Sequence, residues 1–465
     1  MLLAIAFMQM ACLAAPLSLV AQNEAAPAEE KAAAPAESPA DPPTTDPPAA
    51  AETPETTESP AATLDSGLDP LFKIEKELID EATVKEFRKK ENDFRIALQA
   101  GELSNTARQL ITEGIRVRVY SLTLKSNLTD KESSKKIVEG FRRELLDAGT
   151  LNPAGSRAFR EFVLQELVNR CKEPDILNNH FFVRLQALIL LSNTNLVEPN
   201  PSSPGVPGQA FTPALDPLLA FIDDPAQPYV LKIVATVGLM NINLRGSNQP
   251  TPNQRISMGR SLIRELAQPN THEWYQVRLL ETLASIDQIL DLEGKPFIVN
   301  AVDATLKDPN RKWVVRCAAA KALGRVQLTA EMRVDLYVID VLNLAREAAE
   351  ALNKESQKSP YWSACFWDIY YAFQPVDSSE LSRNPGLRKK VTLPRMDKFQ
   401  KLVDEGYKQY IPLFNHVIAA TPPQNIPEDM LNPFREWLQA NTPADYQPHG
   451  DQANGTKQVQ RTGSP

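Results

Sequence analysis

The segment between Leu306 and Val326 constrains the fold of this chain more than any other stretch. Pro309 lacks a backbone N–H and disfavours helical dihedral angles at Asp308, so a helix must end here. Asn310 is a suitable N-cap for a second helix. Apolar residues then recur at helical spacing, and they are Val315, Ala318, Ala319, Ala322, Leu323 and Val326. This spacing predicts a second helix with one apolar stripe, whose alanines allow another helix to approach closely.

Three upstream segments repeat this arrangement of a proline-bearing turn followed by an amphipathic helix. The corresponding valines are separated by 47, 47 and 38 residues, and they are Val183, Val230, Val277 and Val315. Trp362 lies 47 residues after Val315, which predicts one further period. The pattern therefore predicts an array of helix pairs over residues 151–375, with a period in the range of about 40–47 residues that two-helix repeats use.

The segment around Val315 resembles a HEAT repeat. The family pattern is a helix, an Asp-Pro turn and then Val-Arg-x-Ala-Ala-x-x-Ala-Leu-Gly, and the matching residues are Val315, Arg316, Ala318, Ala319, Ala322, Leu323 and Gly324. The resemblance implies an α-solenoid, in which each helix pair packs only on its neighbours. It also implies that Arg184, Arg278 and Arg316 support neighbouring repeats. Gly324 is expected to loosen or cap the last turn of its helix.

The N-terminal part of the chain predicts export. Residues 2–20 are mostly apolar and no charged residue precedes Glu24, so we expect residues 1–21 to form a cleaved signal peptide. An uncleaved signal anchor is the alternative. Residues 22–66 carry ten acidic side chains and one lysine and contain no aromatic residue. They are therefore predicted to form a disordered acidic Pro/Ala-rich linker, and the protein is expected in the periplasm, the cell envelope or the secreted space.

The remaining segments complete an all-α prediction. Residues 67–150 read as a helical N-terminal capping region, 376–440 as a C-terminal helical cap, and 441–465 as a disordered tail. No segment alternates polar and apolar residues as a half-buried strand would. The fold class is therefore an α-solenoid of HEAT-like helix pairs with helical N- and C-terminal caps.

Motifs for catalysis and for metal binding are missing from the sequence. The four histidines do not stand at ligand spacing, and no glycine-rich phosphate loop or nucleophile motif occurs. We therefore predict no catalytic residue, no metal and no cofactor. The chain carries a net charge of −8 and residues 22–66 alone carry −9, so residues 67–465 sum to about +1 and are close to neutral. This balance gives no electrostatic support for nucleic-acid binding.

Aromatic residues recur at or near the start of each predicted second helix. They admit two interpretations: packing between repeats at the turn edge, or an exposed ridge that grips a peptide or protein. The candidate partner-binding residues are Trp274, Trp313, Tyr361, Trp362 and Trp367. The segment 361–373 is apolar on more than one helix face, so we expect it to be buried between the last repeat and the C-terminal helices.

The function predicted on this basis is that of a non-catalytic protein-binding scaffold. We expect a monomer that binds a protein or peptide partner and meets a membrane only through an uncleaved signal. One alternative is an enzyme or enzyme subunit, because some HEAT-like proteins are lyases or parts of catalytic assemblies. A deep pocket with clustered carboxylates, or His180 beside other polar groups, would favour it. The other alternative is a structural envelope protein, which tight homo-oligomers would favour.

Overall fold

The computed structural model describes residues 76–129, 131–152, 155–199, 208–268, 271–375 and 386–446. These residues are predominantly helical, with nineteen α-helices and two short strands. The predicted helical class is therefore confirmed. The predicted signal peptide and the acidic linker lie outside the described residues.

Six helices form the N-terminal part: α1 (Glu81–Arg88), α2 (Glu91–Ala100), α3 (Asn105–Tyr120), α4 (Lys125–Thr129), α5 (Lys131–Leu146) and α6 (Ser156–Cys171). The side chains of Asp80 and Ser104 cap α1 and α3 by accepting backbone N–H groups of the first turn. Helix α3 packs on α2 and on α6. Phe94 is fully buried against Gly114 of α3, where a Cβ would approach its ring to 2.3 Å.

Five helix pairs follow, each with a first and a second helix. The pairs are α7 (Pro174–Leu177) with α8 (Phe181–Ser192), α9 (Leu215–Asp223) with α10 (Tyr229–Arg245), α11 (Pro252–Leu266) with α12 (Glu273–Ala284), α13 (Phe297–Lys307) with α14 (Trp313–Arg325), and α15 (Val334–Lys354) with α16 (Tyr361–Phe373). The second helices pack on one another in chain order, from α8 to α16. The first helices from α9 to α15 do the same. Two rows of helices thus bury their apolar faces against each other.

The turns within the second and fourth pairs are built alike. The Asp224 carboxylate accepts the Ala226 N–H at 2.9 Å and the Gln227 side chain at 2.9 Å. Asp308 accepts the Asn310 N–H at 3.0 Å and the Arg311 Nε at 3.2 Å. A carboxylate that binds its own backbone two residues on stabilises a tight turn. The Asp-Pro turns that the sequence singles out therefore have a common physical cause.

The residue after each of these turns also reaches back to the preceding pair. Gln227 donates to the carbonyl of Leu177, the last residue of α7, at 3.4 Å, and Arg311 donates to that of Leu266, the last residue of α11, at 2.9 Å. Carbonyls at the end of a helix have no partner within it. Neighbouring pairs therefore make equivalent contacts, which satisfy the same backbone group in each case.

The structure corrects the register of the repeats. The second helices begin at residues 181, 229, 273, 313 and 361, which are 48, 44, 40 and 48 apart. Their buried third residues are Val183, Leu231, Tyr275 and Val315 in the first four pairs. Val230 and Val277 are half-buried, so the predicted equivalence was wrong there by one and two positions. Helix starts follow the caps Pro228 and His272 rather than the nearest valine.

Two of the three predicted supporting arginines hold neighbouring elements together. Arg316 donates to the carbonyl of Leu306 at 2.9 Å and pairs with Glu347 of α15 at 2.7 Å. Arg184 donates to the side chain of Gln227 at 3.1 Å.

The prediction for Arg278 is wrong, because that side chain is exposed and pairs with Glu281 of its own helix. Gln276, the fourth residue of α12, takes the corresponding position and accepts a hydrogen bond from Arg311. The supporting side chain is therefore the fourth residue of a second helix, whether or not it belongs to a Val-Arg pair.

Helices α14 and α16 approach each other closely at Gly324. A Cβ at this position would lie 2.6 Å from the Cα of Ala372. Helix α14 continues to Arg325, so the predicted role of Gly324 as a cap is wrong, and its function is to allow backbone contact. The buried alanines of α14 provide the rest of the close approach that the sequence predicts.

The remaining elements flank the rows of pairs. Strands β1 (Asn195–Val197) and β2 (Gln209–Ala210) form a small antiparallel sheet between α8 and α9, which the sequence does not predict. Helices α17 (Gly386–Lys390), α18 (Gln400–Ile418) and α19 (Glu428–Asn441) follow the last pair. Helix α16 packs between α14 and α18, as predicted from its apolar faces. The predicted disordered tail is wrong for residues 441–446, because α19 includes Asn441 and Tyr446 hydrogen-bonds to α15.

Candidate functional site

The starts of successive second helices are neighbours. Tyr229 of α10 contacts His272, the N-cap of α12. Glu273 of α12 pairs with Lys312, the N-cap of α14, at 2.7 Å. Trp313 of α14 contacts Trp362 of α16 at a centroid distance of 5.7 Å. We call this continuous set, consisting of Tyr229, His272, Trp274, Trp313, Tyr361 and Trp362, the aromatic edge.

In the N-terminal half of the aromatic edge, the rings contact one another and two of them are exposed. The rings of Tyr229 and His272 stack with centroids 5.5 Å apart and planes 5° apart, and Trp274 lies 5.1 Å from His272. His272 Nδ1 accepts the Trp274 N–H at 3.3 Å and so caps α12. Tyr229 and Trp274 nevertheless remain 38% and 41% exposed. Ordinary packing does not require two aromatic side chains to be held in place and left accessible to solvent.

The C-terminal end of the aromatic edge is largely packed. Trp362 is only 2% exposed, its Nε1 donates to Glu355, and the ring of Tyr361 stacks on it at 4.8 Å. The guanidinium of Arg316 lies 4.8 Å from the ring centroid of Trp313, which is half-buried. Tyr361 is 37% exposed. The packing interpretation therefore describes Trp362, and Trp313 in part.

Trp367 belongs to a different cluster, further along α16. Its ring lies 4.7 Å from that of Phe414 in α18 and 5.4 Å from that of Tyr371, and it is 37% exposed. Lys321 lies 5.6 Å from the ring of Tyr371 and pairs with Asp368 at 3.2 Å. Burial raises the pKa of the Asp368 carboxyl, although Lys321 acts in the opposite direction. The structure thus divides the five predicted residues between two places.

A cavity of about 250 Å³ lies between α5, α6, α8 and the residues around β1. Its lining combines apolar and charged side chains: Glu139, Arg142, Arg143, Leu145, Leu146, Arg160, Leu164, Leu190, Asn193, Thr194, Asn195 and Glu198. Arg160 is buried, donates to the carbonyl of Leu145 at 2.9 Å, and pairs with Glu198 at 2.6 Å. Burial lowers the pKa of Arg160, and Glu198 partly offsets that effect.

The sequence does not predict this cavity. The available signal was Arg160, a charged residue between Phe159 and Val163 on the buried face of α6. A buried charge normally needs a partner close by, but the sequence does not reveal that Glu198 provides it. The Arg160 guanidinium is thus satisfied within the protein, by the Leu145 carbonyl and by Glu198.

His180 has a capping role. Its Nδ1 accepts the Phe182 N–H at 3.3 Å at the start of α8, as His272 does at the start of α12. Burial, together with the charge of Arg184, lowers the pKa of the His180 imidazole. Among the residues that the structure describes, no group of three or more His, Cys, Asp and Glu side chains could hold a metal ion. None of the helices described is long and apolar enough to span a bilayer.

Comparison of the chain with protein-family models, with curated proteins and with solved structures finds no match. The resemblance to HEAT repeats therefore depends on the residues of the turns and second helices given above.

Proposed function

We propose that this chain is an exported, non-catalytic scaffold that binds a protein or peptide partner on a HEAT-like α-solenoid. Two features support the solenoid: helices of successive pairs pack in two rows, and the Asp224 and Asp308 turns make equivalent contacts to the preceding pair. Each repeat of such a stack contacts only its neighbours, which leaves a long surface for binding.

The exposed aromatic group in the N-terminal half of the aromatic edge carries the proposal. Tyrosine and tryptophan are the residues that most often dominate binding energy at protein interfaces. The rings of Tyr229 and Trp274 both already contact the ring of His272. Because few rotamers would be lost on binding, contact with a partner would cost little conformational entropy. Such preorganised, accessible rings favour binding over a purely structural role.

The partner that fits this surface is a protein segment with apolar or proline side chains, which stack well on aromatic rings. Tyr361 and the exposed part of Trp313 would extend the contact along the aromatic edge. Trp362 has a structural role, and Trp367 would contribute only to a second surface on α16 and α18. We propose that the chain itself is monomeric and that its linker, residues 22–66, holds it away from the envelope.

A quantitative capture experiment tests the proposal. The full chain without its signal peptide, and the variant Tyr229→Ala/Trp274→Ala, are incubated with envelope extract, and the bound proteins are measured by mass spectrometry. Ile96→Ala/Leu292→Ala serves as the matched control, because both residues are exposed and apolar but lie outside the aromatic edge. We expect the partner to be retained by the wild type and the control and lost by the edge variant. Equal recovery by all three proteins would contradict the proposal.

Export has a separate test. It depends on the apolar run in residues 2–20 and on the small residue Ala21 that precedes Gln22. N-terminal sequencing of the protein recovered from cells should give a chain that starts near Gln22, in the envelope or secreted fraction. A chain that starts at Met1 in the cytoplasmic fraction would contradict export while leaving the binding proposal intact.

A further inference from the structure

The last described residues, 443–446, return to the helix pairs and contact α15 through two side chains. Asp445 forms a bidentate ion pair with Arg333, the N-cap of α15, with Nη2 and Oδ1 3.1 Å apart. The Tyr446 hydroxyl donates to Asp340 Oδ1 at 2.8 Å and accepts from Asn343 Nδ2 at 3.0 Å. The side chains of Asp445 and Tyr446 are thus bound by three residues: Arg333, Asp340 and Asn343. We call these three residues the Asp-Tyr site.

Other parts of the chain hold the Asp-Tyr site in place. Arg333 Nε and Nη2 lie 3.0 Å and 2.8 Å from the carboxylate oxygens of Asp335. Asp340 is fully buried, and its second oxygen lies 2.7 Å from Lys307 Nζ, which is itself 2.7 Å from Asp303. These contacts do not involve residues 443–446. They would therefore still hold Arg333 and Asp340 if the C-terminal segment left.

The occupying segment is held by few contacts. Both Arg333 and Asp445 are exposed, and exposed ion pairs contribute little to stability because solvent screens them. Ala444 is exposed as well, and Tyr446 is only half-buried. A segment attached mainly through one hydroxyl and one exposed carboxylate can exchange with an equivalent segment.

We propose that the Asp-Tyr site is a peptide-recognition site for an aspartate followed by a tyrosine, and that residues 445–446 occupy it as a displaceable ligand from the same chain. The planar guanidinium of Arg333 matches a carboxylate through two parallel hydrogen bonds. Asp340 and Asn343 together match the donor and the acceptor of a phenol hydroxyl. A phenylalanine would leave the buried Asp340 oxygen without its donor, which is the usual basis of strong discrimination. The partner is therefore a protein with an exposed Asp-Tyr segment.

The proposal is independent of the aromatic edge, because it uses α15 and the C-terminal segment. Attachment to the same chain gives residues 445–446 an effective concentration on the order of millimolar. A free peptide must compete with that concentration. Binding in trans should therefore be weak in the wild type and strong once the chain's own ligand has been removed.

Fluorescence anisotropy with a labelled peptide tests this directly. The probe has the sequence of residues 441–450, and the proteins are the full chain and its Asp445→Ala/Tyr446→Ala variant. We expect the variant to bind the probe more tightly than the wild type, by about tenfold if the Kd of the segment is about 0.1 mM, because the gain is one plus the ratio of the millimolar effective concentration to that Kd. Arg333→Ala added to the variant should weaken that binding only a few-fold, because an exposed ion pair contributes little, and since Arg333 is exposed the protein should still fold. A probe with phenylalanine in place of the tyrosine should bind about tenfold more weakly than the tyrosine probe.

Three results would overturn the proposal. They are equal affinity of the probe for the wild type and the variant, no binding to the variant, and equal affinity of the tyrosine and phenylalanine probes. Thermal unfolding of each protein, followed by circular dichroism, establishes that the folded chain is being compared. These outcomes do not depend on the capture experiment, so the two proposals can fail separately.

Discussion

The N-terminal half and the C-terminal end of the aromatic edge carry the same sequence signal but have different surroundings. Trp274 and Trp362 are each the second residue of a second helix. Trp362 is enclosed by Trp313, Tyr361 and Glu355, whereas Trp274 rests on His272 and remains 41% exposed. The difference teaches that an aromatic residue at a helix start has no fixed role. The residues brought in by the preceding loop and the neighbouring pair decide whether it stabilises the fold or faces a partner.

The largest expected difference is in stability, between the two tryptophans. Trp362→Ala should lower the free energy of unfolding by about 3–5 kcal/mol, because it leaves a large cavity and an unpaired Glu355. Trp274→Ala should lower it by less than about 1 kcal/mol, since most surface substitutions cost little. Urea unfolding followed by circular dichroism measures both values. Similar losses in the two variants would break the comparison.

The second prediction extends the comparison to the arginines of the same helices. Arg316→Ala should cost about 1–3 kcal/mol, since it leaves the Leu306 carbonyl without its donor and leaves Glu347 with only the more distant Arg346, 3.8 Å away. Arg278→Ala should change stability by less than about 0.5 kcal/mol, because that side chain lies on the surface. The same unfolding measurement decides between them. A costly Arg278→Ala would restore the prediction that the sequence makes for this residue.

The third prediction concerns buried charge in the C-terminal half. Burial and the neighbouring Asp303 raise the pKa of Asp340 to about 7, whereas an unfolded aspartate titrates near 4. The folded chain therefore binds an extra proton between these values, and its stability should fall as the pH rises through about 7. Between pH 5 and pH 8, the wild type should lose about 1–3 kcal/mol more than Asp340→Asn, at about 1.4 kcal/mol per unit of pKa.

Urea unfolding at pH 5 and at pH 8 gives the loss of stability for each of the two proteins, and the difference between the two losses is the predicted quantity. The asparagine can still accept the Tyr446 hydroxyl, so the variant isolates the ionisation of residue 340. Identical pH profiles for the two proteins would contradict this prediction. They would show that Asp340 is ionised in the folded chain over the whole range from pH 5 to pH 8, and that its burial does not lower stability as the pH rises.

The smallest effect on stability is expected for His272, which supports the exposed rings of Tyr229 and Trp274. His272→Ala removes the Nδ1 cap of α12 and the ring under Tyr229, and should cost about 0.5–1 kcal/mol, as lost N-caps usually do. The amount of partner captured should fall by more than the loss of folded protein explains, because the rings of Tyr229 and Trp274 lose their fixed orientation. His180→Ala, which removes the equivalent cap of α8, is the control. Unchanged capture by His272→Ala would show that preorganisation of the rings is not needed.

The sequence predicts those parts of the fold that depend on local chemistry. The Asp308-Pro309 turn and the alanine face of α14 follow from the geometry of proline and from helical periodicity. The sequence does not predict that residues 231 and 275 are the equivalent buried positions. The helix starts are set by Pro228 and His272, and Tyr275 does not resemble a valine. The sequence also does not predict which of the two tryptophans is exposed, since Trp274 and Trp362 differ in their neighbours rather than in their positions within the helix. The Asp-Tyr site joins residues about 100 positions apart, which no periodic pattern reports.

Site-specific photo-crosslinking tests the central claim most directly. Benzoylphenylalanine is placed at position 274 of the full chain, and at position 292 as a control, because Leu292 is exposed and lies beyond the other end of α12. After irradiation in envelope extract, we expect one defined protein to be linked through position 274 and to be absent from the sample with the label at position 292. Crosslinking that is equal at the two positions, or that fails at position 274 while a partner is still captured, would contradict binding at the aromatic edge.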